Sequence, residues 1–124
     1  MESALEVGKK LVDLAKQGRW LEAVDTLYSP DITSLEAVAM PGRQCPEGIA
    51  AAREKTVRFL AEHDIHHCAV TGPWPHGYRF IVGFKLDLTS KTGPMMGKRF
   101  TIEEAALYTV KEGKIVKEEF FYTM

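Results

Sequence analysis

The stretch GKIVKEEFFYTM, residues 113–124, places two adjacent carboxylates, Glu118 and Glu119, among Ile115, Val116, Phe120, Phe121 and Tyr122. Neighbouring side chains on a strand point to opposite faces, so one of the pair must enter whichever face is covered. A carboxyl group buried among apolar neighbours has a raised pKa, which suits a general acid or a group that grips a ligand. RFTIEEAALYTV, residues 99–110, adds Glu103 and Glu104. KLD, residues 85–87, sets Lys85 and Asp87 on one side of a strand, and HDIHH supplies His63, His66 and His67. These side chains are the equipment of proton transfer to and from carbon or oxygen.

The elements that would position them follow from periodicity. Ser3-Ala4-Leu5-Glu6 fits a helix capping box, and Val7, Leu11, Leu14 and Ala15 continue on one helical face until Gly18. Trp20, Ala23, Val24, Leu27 and Tyr28 form a second short helix that Pro30 ends, and DITSLEAV, 31–38, is a first strand. After the Pro/Gly-rich AMPGRQCPEG loop, Ile49, Ala52, Thr56, Phe59 and Leu60 mark a third helix. Four strands are then expected at 65–71, 78–89, 99–110 and 114–122, separated by GPWPHG, KTGPMMG and the turn Glu112-Gly113.

Helices first and antiparallel strands afterwards predict an α+β fold in a single domain, 1–124, with the helices on one face of the sheet. A strand over 78–89 would span about 40 Å if straight, whereas a compact domain of this length is roughly 35 Å across. The sheet must curl, and a curled sheet with helices on its concave side is a cone with a mouth that can hold a ligand.

A two-residue turn at Glu112-Gly113 sets Lys111 opposite Lys114, and a regular ladder then fixes every later pair. One face would carry Thr109/Val116, Leu107/Glu118, Ala105/Phe120 and Glu103/Tyr122. The other would carry Val110/Ile115, Tyr108/Lys117, Ala106/Glu119 and Glu104/Phe121. Each face receives carboxylates, and periodicity alone does not say which lines the pocket. On 78–89, Phe80, Val82, Phe84, Leu86 and Leu88 form an apolar face. Arg79, Ile81, Gly83, Lys85 and Asp87 form the mixed one.

The 124 residues carry a formal net charge of −1, with no basic excess to neutralise phosphates, so neither nucleic acid nor an anionic membrane is expected as a partner. No stretch approaches the ~20 apolar residues of a membrane span. The N-terminal residues lack the apolar core of a signal peptide, so a cytoplasmic location is expected. Cys45 and Cys68 show no metal-ligand spacing and are expected as thiols in a reducing compartment.

Three stretches, QGRWLEAVDTLYSPDITSLEAV, GIAAAREKTVRFLAEH and GKRFTIEEAALYTVKEGKIVKEEFFY, resemble the SnoaL-like and nuclear transport factor 2-like superfamily in element order over nearly the whole chain. The resemblance implies a cone-shaped, cystatin-like α+β domain with its N-terminal helices on the concave face of a curled, mostly antiparallel sheet. It does not select one activity, because the superfamily mixes polyketide cyclases, ketosteroid isomerases, limonene epoxide hydrolases, dehydratases and non-catalytic binding modules.

Residue by residue, Glu36 stands where ketosteroid isomerases have their general base. Val12 or its neighbours and Leu107 occupy the oxyanion-hole positions, so steroid isomerase chemistry is not implied. Lys85 and Asp87 resemble the Arg-x-Asp element of limonene epoxide hydrolases with lysine in place of arginine, and Phe120 stands where those enzymes have a last-strand aspartate. Both comparisons imply that Val116, Glu118, Phe120 and Tyr122 face the pocket. SnoaL-type cyclases use an Asp/His arrangement, for which either His66 or His67 would point inward.

The expected catalytic residues are therefore Glu36, Glu118, Tyr122 and Asp87. Trp20, Tyr28, His66, Lys85, Glu103, Leu107, Val116 and Phe120 complete the expected pocket, with no metal or other cofactor. The expected partners are an apolar carbonyl-bearing ligand, processed by isomerase, cyclase or dehydratase-type acid/base chemistry, and a second copy bound through the convex sheet face. A non-catalytic ligand-binding or dimerisation module is the alternative.

Overall fold

The computed structural model describes residues 2–37 and 47–122; the Cys45 loop and Val38 lie outside them, and the first strand, expected to reach 38, already ends at Leu35. Helix α1 spans Ala4–Lys16, and Ser3 caps it by accepting the Glu6 N–H at 3.2 Å. Its buried stripe of Ala4, Val7, Gly8, Leu11, Val12 and Ala15 lies mainly over strand β2. Helix α2, Trp20–Leu27, buries Ala23, Val24 and Leu27. Helix α3, Ile49–Glu62, buries Ala52.

The five strands are β1 Tyr28–Leu35, β2 His63–His76, β3 Arg79–Ser90, β4 Arg99–Lys111 and β5 Lys114–Phe121, in one sheet of order β1-β5-β4-β3-β2. Only the β1–β5 pairing is parallel. The helices cover the concave face, onto which Phe80, Val82 and Phe84 of β3 and Ala106 and Tyr108 of β4 converge as core. This is the α+β cone that the order of elements predicts.

Two strands outrun their expected limits for one reason. Residues 73 and 75 of β2 and residue 30 of β1 are prolines, which end central strands but are tolerated on edges, and β1 and β2 are the two edges. β2 therefore continues through the GPWPHG stretch expected to be a connection.

The hairpin contains a larger departure. Glu112 and Gly113 both have positive φ, 53° and 76°, as a two-residue turn of this twist requires, and Lys111 and Val110 pair with Lys114 and Ile115 as expected. Then Thr109 pairs with Lys117, leaving Val116 as an extra residue. Every later pair slips by one: Tyr108 faces Glu118, Leu107 faces Glu119, and Ala106 faces Phe120. Glu118 and Phe120 thus share the concave face with Tyr108, Ala106 and Glu104, not with Leu107 and Glu103.

Gly8 sets how closely α1 approaches the sheet. A Cβ there would lie 2.8 Å from the Pro73 Cβ and 3.1 Å from the Phe80 ring. Gly8→Ala is expected to destabilise the fold by about 1–3 kcal/mol through overpacking, despite the ~1 kcal/mol that alanine gains in helix propensity, read as a lowered urea midpoint.

Candidate functional site

The site is built around Glu118. Its carboxylate is 3% exposed and accepts hydrogen bonds from the Tyr28 hydroxyl and from Ser34 Oγ at 2.5 Å. Tyr28 opens β1 and Ser34 lies beside Glu118 in the parallel β1–β5 register, so the edge strand supplies both donors. Burial and the neighbouring Glu118 charge push the Tyr28 phenol well above its usual pKa, and the same two causes act on Tyr108. Both phenols stay protonated, and Tyr28 stays a donor.

Above this pair lies Lys55. Its Nζ stands 2.6 Å from Glu36 Oε1, 3.8 Å from Glu118 Oε1 and 4.3 Å from the centre of the Phe120 ring. Tyr122 donates to the other Glu36 oxygen at 2.9 Å. Lys55 was not among the expected residues, although it lies three residues after Ala52 and four before Phe59, on the inward stripe of α3. Lysine is normally read as an outward residue, and here it is drawn in by two carboxylates and an aromatic face.

Glu104 completes the group. Among the described residues its carboxyl makes no hydrogen bond or ion pair, and it is half-buried on the concave face of β4. Burial raises its pKa to about 7, with Glu36 and Glu118 adding to the rise and Lys55 opposing it. The bulge at Val116 brings this face of β4 level with Glu118, which a regular ladder would not do. Cys68, on the same face of β2, has its thiol pushed up to about 11 by burial and by Glu104, so it remains a thiol at neutral pH.

Of the expected residues, Glu36, Glu118, Tyr122, Tyr28 and Phe120 come together around Lys55. Trp20 forms part of the inner wall, 5.7 Å from Phe84 between ring centres. The others are placed elsewhere. Lys85 and Glu103 form an exposed pair at 3.4 Å on the convex face, Asp87 is held by Arg99 at 2.7 and 3.0 Å, and Leu107 faces Glu119 on that side. The cause for all of them is that the apolar row Phe80–Leu88 takes the concave face, leaving the mixed row outside.

Arg99's hydrogen bonds lower the Asp87 pKa below its ordinary value. Val116 sits half-buried in the bulge. His66 bonds Thr89 Oγ1 at 2.6 Å and is exposed. A register shift between Ile65 and His67 leaves His63 as the histidine on the concave side, stacked on Phe59 at 4.5 Å.

The chain matches the SnoaL-like domain family over residues 2–122. It belongs to that family. A proposed SnoaL-like polyketide cyclase from Mesorhizobium loti is 36% identical, with 98% of this chain and 100% of that chain covered and a TM-score of 0.90. A nuclear transport factor 2-like protein from Burkholderia thailandensis is 20% identical, with 99% and 92% covered and a TM-score of 0.79. A protein with a ketosteroid isomerase-like fold from Catenulispora acidiphila, solved with trimethylamine, is 18% identical, with 98% and 88% covered and a TM-score of 0.73. No curated protein matches the chain. In this SnoaL-like chain no helix among the described residues is long and apolar enough to cross a membrane.

Glu104 has a folded-state pKa above its unfolded one, so the unfolded state binds fewer protons between the two values. The stability it contributes is present below pH 4.5 and is lost as pH rises from there through about 7. Glu104→Gln is expected to remove that decline and to be more stable than the parent at pH 8 in denaturant titrations. Side-chain carbon NMR should show one glutamate titrating near 7.

Proposed function

We propose that the cone binds an apolar, carbonyl-bearing small molecule and moves a proton on it, in the manner of an isomerase, cyclase or dehydratase. The observation that carries this reading is the unpartnered Glu104 carboxyl, with a pKa of about 7, in a group that includes the Lys55 ammonium. A base that titrates near the working pH has both its forms available, as proton transfer requires.

In the proposed step, ionised Glu104 takes a proton from the carbon next to the carbonyl. The electron pair moves onto the carbonyl oxygen, and Lys55 meets the enolate charge that develops there. The proton then returns from Glu104 to carbon at a new position; or the enolate expels a β-hydroxyl, which leaves as water with the Glu104 proton; or the enolate carbon adds to a second carbonyl of the same ligand, whose oxygen takes that proton. Glu36, the base implied by the resemblance, is already committed to Lys55 and Tyr122; with Glu118 it holds the ammonium in place. The similarity to a proposed polyketide cyclase at 36% identity supports the same reaction class.

Deuterium uptake at the α-carbon of cyclohexyl methyl ketone in D2O tests this. The protein is expected to accelerate uptake over buffer, with a rate that rises with pH through about 7 as Glu104 ionises. Glu104→Gln should cost on the order of 10²-fold or more. Uptake at the buffer rate, or an unchanged rate in that variant, overturns the reading.

A second reading concerns assembly. Trp74, Ile81 and Phe121 stand 54%, 41% and 54% exposed on the convex face. Phe121 lines a trough of about 450 Å³ floored by Ala69, Gly83 and Ala105, with Lys85 and Glu103 also at its wall. A second copy turned about a twofold axis would set these apolar side chains into that trough, with Lys117 and Glu119 at the rim. Sedimentation is expected to show a dimer at micromolar concentration and a monomer for Phe121→Glu; a monomeric parent refutes it.

A further inference from the structure

Resting on the proposed reading of the cone, we infer that the site selects its ligand by charge: it admits an uncharged ketone, aldehyde or ester and rejects the carboxylate of the same shape. The argument is a count of charges in one place. Among the described residues, Glu36 and Glu118 lie 2.6 Å and 3.8 Å from a single ammonium, Lys55, and Glu104 feels the charge of all three. One lysine cannot balance three carboxyl groups, so the group is negative whenever more than one of them is ionised.

An incoming carboxylate would add a further negative charge where like charges are poorly screened by water. A carbonyl oxygen adds none. Lys55 has donor capacity left, since beyond its ion pairs Nζ forms no hydrogen bond of good geometry among the described residues; Nζ is closed to solvent, so it meets a ligand oxygen once the partly exposed side chain turns toward the cone. An ammonium carries three donors, so an acceptor oxygen at this point satisfies a group that is otherwise under-used.

The ligand's apolar body has its own place. Toward the Arg99 end of β4 the concave face continues through Ile102 and Phe100, which pair with Leu86 and Leu88. Phe59 and His63 stack beside Phe100. The polar group and this apolar surface lie on one continuous face, which suits a molecule with a single uncharged polar end.

Three probes of equal shape separate the possibilities: cyclohexyl methyl ketone, cyclohexanecarboxylate and cyclohexylmethylammonium. Trp20 reports binding in a Trp74→Phe background, excited on the red edge of its band, beyond most of the ketone's weak carbonyl absorption; Trp20 packs on Phe84, the residue paired with Glu104 across the strands. Fluorescence titrations at pH 8 are expected to show the ketone binding at least about tenfold more tightly than the carboxylate, a difference of about 1.4 kcal/mol.

Neutralising one carboxylate by Glu36→Gln should narrow that gap by raising carboxylate affinity. A carboxylate that binds as well as the ketone overturns the charge selection while leaving the cone a ligand site; an ammonium bound more tightly than the carboxylate is the order that a net negative group gives. If no probe binds by fluorescence or by methyl-resonance shifts, the reading of the cone as a ligand site falls, and the charge selection falls with it.

Discussion

A carboxylate taken out of water is among the costliest groups a fold can bury, several kcal/mol after relaxation, unless donors surround it. Glu118 imposes that requirement on much of the cone. Tyr28 and Ser34 meet it from β1, which is why an edge strand that contains a proline still has its inner residues fixed against β5. Lys55 meets it from α3, and in doing so ties the third helix to the last strand. Two hydroxyls from β1 and one ammonium from α3 converge on one charge of β5, so the position of each depends on the others.

That arrangement divides the concave face into zones. Stacked Phe80 and Tyr108, with ring centres 5.0 Å apart, belong to a dry core under α1. Next comes a belt of Glu118, Lys55, Glu36 and Glu104, and beyond it a smaller apolar surface around Phe100. The belt is anchored on the core side, where Glu118 is saturated with donors, and free on the other side, where Glu104 has none. Reactivity in such a belt belongs to the group that structure does not already employ.

Much of this was legible from residue types. Ser3 and the apolar stripe behind it mark α1, Glu112-Gly113 marks the hairpin, and the bulky row of β3 marks the face that helices cover. The Val116 bulge was not legible, because the residues around it read equally well in two registers: Leu107 and Tyr108 can each plausibly oppose a glutamate, and only packing decides. That single extra residue put Glu118 on the face of Glu104 instead of the face of Glu103 and Leu107. Lys55 was hidden by its type, since the energy that turns a lysine inward comes from carboxylates remote in sequence. The prolines of β2 misled in the opposite direction, marking an edge instead of an end.

Those prolines have a consequence for the chain in crowded solution. A sheet edge with an unbroken row of N–H and C=O groups is a template on which another chain can add a strand, and repetition of that step builds fibrils. Here Pro30 interrupts one edge, and Pro73 and Pro75 interrupt the other. Neither border can be extended by a regular ladder along its whole length, so the cone carries its protection against fibrillar growth in the same residues that make its strands hard to read.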